Sequence, residues 1–230
     1  MIKIVMFDLD DTLLDFNLTV REAVKTGFEK FNIDGYKDAI FEEFNRINNK
    51  VWKDMPVDLS ERKTILDRRW DKVFQSMGIE FDGEIFNTYF RNFIYSSAYP
   101  IKNSKEILEF LYTRYPLFIC TNGPYNQQVN RLKVVDYYKY FKCIFTSEKI
   151  GHSKPRKEFF DYCLEKIIDI SGDEIRPDEI LLVGDSITGD ISGAKEYGLK
   201  TCYFTATDNP TTGLADYIIK DLIEIKNILS

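Results

Sequence analysis

MIKIVMFDLDDT, residues 1–12, begins with an apolar run over Ile2 to Phe7 and then turns acidic. A short, β-branched apolar run is typical of a strand buried on both faces of a parallel sheet. In an extended chain Asp8 and Asp10 point to the same side, because successive side chains alternate. Parallel sheets bind ligands at the carboxyl ends of their strands, where these two carboxylates are expected. Taken alone, a DxDxT string is also a common turn or helix cap, so a site and a turn both stay open.

Further apolar runs follow along the chain, with helical patterns between them. The predicted strands are Leu117 to Cys120, Cys143 to Phe145, Ile180 to Val183, Thr201 to Phe204 and Tyr217 to Ile219. Asn103-Ser104 predicts the N-cap of one helix, and Pro155 is expected in the first turn of another. This alternation predicts an α/β fold with a Rossmann-like, doubly wound parallel sheet.

The segment from about Asp15 to Tyr99 contains no predicted strand. Its apolar residues recur at helical spacing in four sets, which begin at Val20, Ile40, Leu66 and Ile85. Four amphipathic helices bury their apolar stripes by packing as a bundle. We therefore expect an inserted α-helical bundle over 15–100, a cap domain that acts as a lid, and a core domain formed by 1–14 and 101–230.

Three more polar clusters follow predicted strands. They are Cys120-Thr121-Asn122-Gly123, Lys154 in a loop, and the run from Gly184 to Asp190 that contains Asp185. Each has an ordinary structural explanation as a turn, a solvated lysine or a helix cap. Together with Asp8 and Asp10 they all fall at one edge of the predicted sheet. Carboxylates without cysteine or histidine suit Mg²⁺, and a hydroxyl, amides and a lysine suit a phosphate, so phosphoryl transfer is the expected chemistry.

Composition excludes several classes of protein. The 230 residues carry 31 Lys+Arg and 37 Asp+Glu, a formal charge of −6, which does not fit a protein that binds a nucleic acid polymer. The longest apolar runs are far shorter than the ~20 residues of a membrane-spanning helix. The four cysteines contain no CxxC pair, so we expect no disulfide framework and a cytoplasmic location.

The four motifs in this order, DLDDT, CTNG, Lys-Pro and GDSITGD, resemble those of the haloacid dehalogenase superfamily. The helical insertion resembles the cap that this superfamily places after its first strand. The resemblance implies that Asp8 is a nucleophile that forms an aspartyl-phosphate and that Asp10 is the general acid and base. It also implies that Thr121 and the amide of Asn122 hold phosphoryl oxygens.

The same resemblance implies a cation site and a catalytic lysine. Lys154 would neutralise charge on the phosphoryl group and on the nucleophile. Mg²⁺ would bind a carboxylate oxygen of Asp8, the backbone carbonyl of Asp10 and Asp185. Asp190 is expected to orient these groups rather than to ligate the ion.

Several activities remain open at this stage. Dehalogenases of the superfamily lack the second carboxylate, so Asp10 favours a phosphatase that acts on small phosphomonoesters. A phosphomutase shares the whole core, but a phosphatase needs no special retention of a phosphorylated intermediate. A non-catalytic protein that binds a phosphate ligand is a further alternative, since fold does not fix function.

The substrate is indicated only by a closer resemblance. Thr121-Asn122-Gly123, Gln128 with Arg131-Leu132, and Ser147 to Gly151 resemble the bacterial 5′-nucleotidases, especially the pyrimidine nucleotidases. This likeness favours nucleoside 5′-monophosphates over sugar phosphates. Phe16, just beyond the catalytic loop, is the aromatic residue expected to contact substrate, whereas aromatic residues at helical spacing are more often core. The sequence indicates no oligomeric state.

Overall fold

The chain forms two compact units. The computed structural model describes residues 1–53, 59–206, 213 and 215–229, without the side chains at 53, 59, 60, 62 and 63. One unit comprises Met1–Asp15 and Ala98–Ser230, and the other comprises Phe16–Ser97. The sequence-based expectation set the bounds of the helical segment at 15 and 100.

A parallel sheet forms the centre of the first unit. Its strands among the described residues are β1 (Ile4–Phe7), β2 (Leu117–Thr121), β3 (Phe141–Thr146), β4 (Ile180–Gly184), β5 (Lys200–Phe204) and β6 (Tyr217–Ile219). They lie in the order β3-β2-β1-β4-β5-β6, and every pair is parallel. The chain therefore leaves β1 toward one side and later returns to its other side, which makes β1 and β4 the switch point where such sheets bind ligands. The predicted α/β fold with a parallel sheet is confirmed.

Helices cover both faces of this sheet. They are α6 (Ser104–Tyr112), α7 (Tyr125–Val134), α8 (Ser147–Ile150), α9 (Lys157–Ser171), α10 (Ser192–Tyr197) and α11 (Ile225–Ile228). Val5 and Phe7 pack on one face with side chains of α6, α7 and α11. Ile4 and Met6 pack on the other face with side chains of α9 and α10. Burial on both faces explains why the strand sequence is continuously apolar rather than alternating.

The position predicted for Pro155 is wrong. It was expected in the first turn of a helix, but α9 begins at Lys157 after Arg156, which has an extended backbone. Pro155 is held instead by tertiary packing, since a Cβ added at Gly193 would lie 2.4 Å from its Cβ. The loop that carries Lys154 must therefore continue through Pro155 before the helix can start.

The helical unit contains five helices among its described residues. They are α1 (Phe16–Phe31), α2 (Asp38–Lys53), α3 (Leu59–Asp67), α4 (Arg69–Met77) and α5 (Gly83–Ser96). Their shared core is rich in aromatic side chains, and Trp70 stacks on Phe44 with ring centroids 5.0 Å apart. No helix of the described residues is long and apolar enough to cross a membrane.

The third predicted helix is two helices, α3 and α4, which meet at Arg68. Asp67 accepts hydrogen bonds from Asn87 at 3.3 Å and from Arg91 at 2.7 Å, both on α5. Arg69 Nε donates to the Leu66 carbonyl at 3.1 Å and so partners a backbone group near the break. The two contacts of Asp67 with α5 join residues that are distant in the sequence, and they lie beside a break that the spacing of apolar residues does not predict.

Candidate active site

Lys154 is the centre of the polar site at the carboxyl edge of the sheet. Its ammonium donates to Asp8 Oδ1 at 2.7 Å, to Asp190 Oδ1 at 2.5 Å and to the Cys120 carbonyl at 2.6 Å. The Lys154 side chain is only 2% exposed. Burial alone disfavours the charged ammonium, but Asp190 and Asp8 outweigh this and raise the pKa of Lys154 well above its usual value. A cation is thus fixed beside Asp8.

Asn122 holds the loop that carries this lysine. Its side-chain carbonyl accepts from the Lys154 backbone N–H at 2.9 Å, and its amide nitrogen donates to the Lys154 carbonyl at 3.1 Å. The Ser147 hydroxyl in turn donates to the Asn122 carbonyl at 2.9 Å. The side chain of Asn122 therefore ties two loops together, while the predicted phosphate contact uses its backbone amide.

Three carboxylates lie close together at the ends of β1 and β4. Asp8, Asp185 and Asp190 each offer one oxygen, and these oxygens all lie within 4.8 Å of one another. Burial, together with the nearby Asp190 and Asp10 and against the opposing charge of Lys154, raises the pKa of Asp8 to about 7. Burial and the charges of Asp8 and Asp190 raise the pKa of Asp185 to about 9. Such a cluster of oxygen donors fits a hard divalent cation, which would stabilise the ionised forms.

Asp190 differs from the other two carboxylates in its partners. Both of its oxygens accept hydrogen bonds, one from Lys154 and the other from the Ser186 backbone N–H at 3.0 Å. These two hydrogen bonds fix the Asp190 carboxylate, which suits a role in orienting Lys154. Asp185 accepts instead from the Thr12 hydroxyl at 3.2 Å, a partner that the sequence did not suggest.

The side chain of Asp10 lies outside this trio and contacts α7. Gln128 Nε2 donates to Asp10 Oδ2 at 2.6 Å, and Arg131 makes an ion pair with Asp10 Oδ1. Gln128 Nε2 also donates to the Thr121 hydroxyl at 3.2 Å. In the sequence, Gln128 and Arg131 are indicated only by a family likeness. Their i, i+3 spacing places two polar side chains on one helix face, and this is the signal that could have found them.

The predicted site residues fall in both units. Asp8, Asp10, Thr121, Asn122, Lys154, Asp185 and Asp190 all belong to the unit that contains the sheet, and the contacts above connect them. Phe16 begins α1 in the helical unit, where it packs against the aromatic core. Its contact with a substrate stays a prediction.

Comparison with known proteins supports the family resemblance that the four sequence motifs indicate. The sequence profile of haloacid dehalogenase-like hydrolases matches residues 5–204. YfnB of Bacillus subtilis, named as a HAD-hydrolase, is 30% identical over 230 residues, which cover 99% of this chain and 95% of YfnB. A crystal structure of YfnB bound to magnesium has a TM-score of 0.88 at 29% identity and covers 99% of this chain and 98% of that chain.

Two further relatives have named phosphatase activities. The pyrimidine 5′-nucleotidase PynA of Streptococcus pneumoniae is 27% identical over 99% of this chain and 97% of its own length. A glyceraldehyde 3-phosphate phosphatase of Methanocaldococcus jannaschii is 29% identical over 100% of this chain and 97% of its own length. These matches confirm the resemblance inferred from the four motifs. Because the profile spans most of the sequence, the chain belongs to the haloacid dehalogenase-like hydrolase family.

Proposed function

We propose that this hydrolase is a Mg²⁺-dependent phosphatase that transfers the phosphoryl group of a small phosphomonoester to Asp8. The observation that carries the proposal is the meeting of Asp8, Asp185 and Lys154 at one edge of the sheet, beside the strand that ends in Thr121. When all three carboxylates are ionised they outnumber the one ammonium, so a phosphate dianion would then be repelled unless a cation is bound. In the proposed site, Asp8 supplies the negative charge of the nucleophile, and Lys154 and the cation supply the positive charge that attracts phosphate.

In the proposed mechanism a carboxylate oxygen of Asp8 attacks phosphorus, and the bond from phosphorus to the ester oxygen breaks. Asp10, which pairs with Arg131 in its ionised form, takes up a proton from solvent when substrate binds and gives this proton to the departing oxygen. Asp10 then takes a proton from a water molecule, which attacks phosphorus and breaks the bond to Asp8. Inorganic phosphate leaves, and Asp8 and the protonated Asp10 are restored. Two easier steps thus replace one difficult step.

The other residues stabilise charge on the transferring group. Lys154 neutralises negative charge shared between the phosphoryl oxygens and Asp8. The Thr121 hydroxyl and the backbone amide of Asn122 donate to those oxygens, beside the buried side chains of Asp8 and Lys154. Asp190 holds the ammonium of Lys154 in place.

Asp8, Asp185 and the backbone carbonyl of Asp10 are the proposed ligands of Mg²⁺. When bound, the ion would act as a Lewis acid that stabilises negative charge on the phosphoryl oxygens. The raised pKa values of Asp8 and Asp185 support this, because a bound divalent ion would keep both groups ionised. The magnesium in the crystal structure of YfnB gives further support.

Nucleoside 5′-monophosphates are the substrates that we propose, with sugar and triose phosphates as the second candidate class. The nucleotidase PynA supports the first class, and the phosphatase of M. jannaschii supports the second. All four cysteines are free of disulfide bonds, which fits the proposed cytoplasmic location.

The test is a panel of phosphomonoesters assayed for released phosphate with Mg²⁺ and with EDTA. We expect pyrimidine nucleoside 5′-monophosphates to be hydrolysed fastest and EDTA to abolish turnover. A sugar or triose phosphate that is strongly preferred would replace the nucleotidase assignment. Isomerised product without phosphate release would indicate a mutase. Binding of substrate without any turnover would indicate a binding protein.

A further inference from the structure

Gln128 lies fully buried on α7 between two groups to which the proposed mechanism gives chemical roles. Its Nε2 donates to Asp10 Oδ2 at 2.6 Å and to Thr121 Oγ1 at 3.2 Å, and its Oε1 accepts from Arg131 Nη1 at 3.0 Å. Arginine has no acceptor, so the Arg131 contact fixes which end of the Gln128 amide is oxygen. Both amide hydrogens of Gln128 are therefore used inside the site.

This arrangement sets the direction of the Thr121 hydroxyl. A hydroxyl has one hydrogen to donate and two lone pairs. The lone pairs of Thr121 Oγ1 accept from the Gly123 N–H at 3.1 Å and from Gln128 Nε2. The Thr121 hydrogen thus remains to be donated to a third group, and the phosphoryl oxygen of a bound substrate is the acceptor that the proposed mechanism supplies.

Arg131 contacts two members of the same hydrogen-bond network, Gln128 and Asp10. It is fully buried, donates to Gln128 and makes an ion pair with Asp10. Both oxygens of Asp10 are held from α7, one by each residue, so the Asp10 carboxyl group cannot rotate without losing both contacts. A general acid and base must sit within hydrogen-bond reach of the reacting oxygen, so such restraint matters for catalysis.

Gly123 shows how closely this network is packed. A Cβ added at Gly123 would lie 2.2 Å from Gln128 Nε2. Since the Gln128 amide is held by Asp10, Thr121 and Arg131, it could move aside only by breaking these hydrogen bonds. The glycine that ends the CTNG motif therefore allows the amide of Gln128 to reach both of its acceptors.

We propose that Gln128 and Arg131 are positioning residues: Gln128 orients both the Thr121 hydroxyl and the Asp10 carboxylate, and Arg131 orients Asp10 and fixes the Gln128 amide. This rests on the proposed phosphatase function. The two residues have different predicted effects, because Gln128 acts on phosphate binding and proton transfer together, whereas Arg131 acts mainly on proton transfer.

The sharpest variant is Gln128→Glu, which keeps the shape but replaces the donating nitrogen with an oxygen. The new oxygen would repel Asp10 and accept the Thr121 hydrogen, which removes it from the phosphoryl group. We expect kcat/KM to fall by about 100-fold or more for every substrate. Gln127→Glu, one residue away on the same helix, adds the same charge and is the matched control. We expect it to stay within about 3-fold of wild type.

Arg131→Met is tested with two leaving groups. A nucleoside 5′-monophosphate leaves as an alkoxide that needs a proton, whereas 4-nitrophenyl phosphate leaves as a stable phenolate. Because kcat/KM reports the first chemical step, we expect a loss of about 100-fold for the nucleotide and less than about 10-fold for 4-nitrophenyl phosphate. Arg131→Lys, which keeps a cation near Asp10, should recover part of the loss. Circular dichroism melting checks that each variant is folded.

A double-mutant cycle separates positioning from a general structural effect. If Arg131 acts through Asp10, then Arg131→Met should change kcat/KM by less than about 3-fold when Asp10→Asn is already present. Additive losses in this cycle, equal losses for both leaving groups, or a Gln127→Glu variant as impaired as Gln128→Glu would each overturn the inference. Wild-type protein that releases no phosphate from either substrate in Mg²⁺ would instead overturn the proposed function, and the inference with it.

Discussion

Asp8 has to be ionised to act as the proposed nucleophile, yet its surroundings raise its pKa. Burial and the neighbouring carboxylates Asp190 and Asp10 raise its pKa to about 7, and Lys154 opposes that shift. A divalent cation beside Asp185 would add a second opposing charge. The ionisation of the proposed nucleophile would thus depend on Lys154 and the cation, the same groups that are proposed to bind phosphate.

Replacing Asp8 removes the atom that is proposed to accept the phosphoryl group. We expect Asp8→Asn to lower kcat by about 10³-fold or more, because the residues that remain still bind substrate but cannot form the covalent intermediate. Phosphate release under saturating nucleoside monophosphate measures this. Near-normal turnover in Asp8→Asn would exclude the aspartyl-phosphate route.

Asp190 tests whether the orientation of Lys154 matters by itself. Asp190→Asn removes one of the two carboxylates that hold the Lys154 ammonium. We expect kcat to fall by about 10- to 100-fold, as is usual when a partner of a catalytic group is lost. Asp161→Asn removes a carboxylate from the exposed Lys157 ion pair and serves as the control, with activity unchanged. Equal activities of the two variants would contradict the assigned role.

At the level of elements, local sequence predicts the strands well and the contacts between distant elements poorly. A short apolar run such as Ile180 to Val183 indicates a strand, because a strand buried on both faces of a sheet has apolar side chains at every position. The break at Arg68 lies beside Asp67, which contacts Asn87 and Arg91, 20 and 24 residues away. No spacing rule for a single helix contains that information.

The same distinction applies to the candidate site. Its carboxylates and Lys154 could be predicted because each follows a strand within a short motif. The roles of Gln128 and Arg131 could not, since both contact Asp10 across more than a hundred residues. The sequence around Gln128 and Arg131 indicates a family likeness shared with the neighbouring CTNG motif, but it does not indicate which groups the two side chains contact.

The start of α5 offers a test of local stability. The Asp82 carboxylate accepts from the backbone N–H groups of Glu84 and Ile85 at 2.8 and 2.9 Å. We expect Asp82→Ala to lower the free energy of unfolding by about 1 kcal/mol and Asp82→Ser to change it little. Both tryptophans, Trp52 and Trp70, lie in the helical unit, so urea unfolding followed by tryptophan fluorescence reports on this unit. Equal midpoints for wild type and Asp82→Ala would show that the cap contributes nothing.

For the whole molecule, stability should depend on pH and Mg²⁺ together. The pKa values of Asp8 and Asp185 rise from 3.8 to about 7 and about 9 on folding. Between pH 3.8 and about pH 9, Asp8 and Asp185 therefore bind more protons in the metal-free folded chain than in the unfolded chain. Its stability should therefore be greatest at low pH within this range and fall as pH rises through 7 and 9.

Mg²⁺ should reverse that trend, because at the proposed site it would bind the ionised carboxylates of Asp8 and Asp185 and compete with protons. We expect Mg²⁺ to raise the melting temperature more at about pH 8.5 than at about pH 6, and its apparent affinity to rise over the same interval. Thermal melts at matched ionic strength measure the change in melting temperature, and calorimetric titration measures the apparent affinity for Mg²⁺. Asp185→Asn should abolish most of the Mg²⁺ effect. A shift that is equal at both pH values would contradict a site built from these carboxylates.

The most direct test is to locate the phosphoryl group on the enzyme during turnover. Wild-type protein is mixed with a nucleoside 5′-monophosphate and Mg²⁺, quenched with acid within milliseconds, and digested for peptide mass spectrometry. We expect a phosphate adduct on the N-terminal peptide at Asp8, absent when EDTA replaces Mg²⁺ and absent in Asp8→Asn. Normal phosphate release with the adduct on another residue, or with Asp8→Asn as active as wild type, would contradict the proposed mechanism.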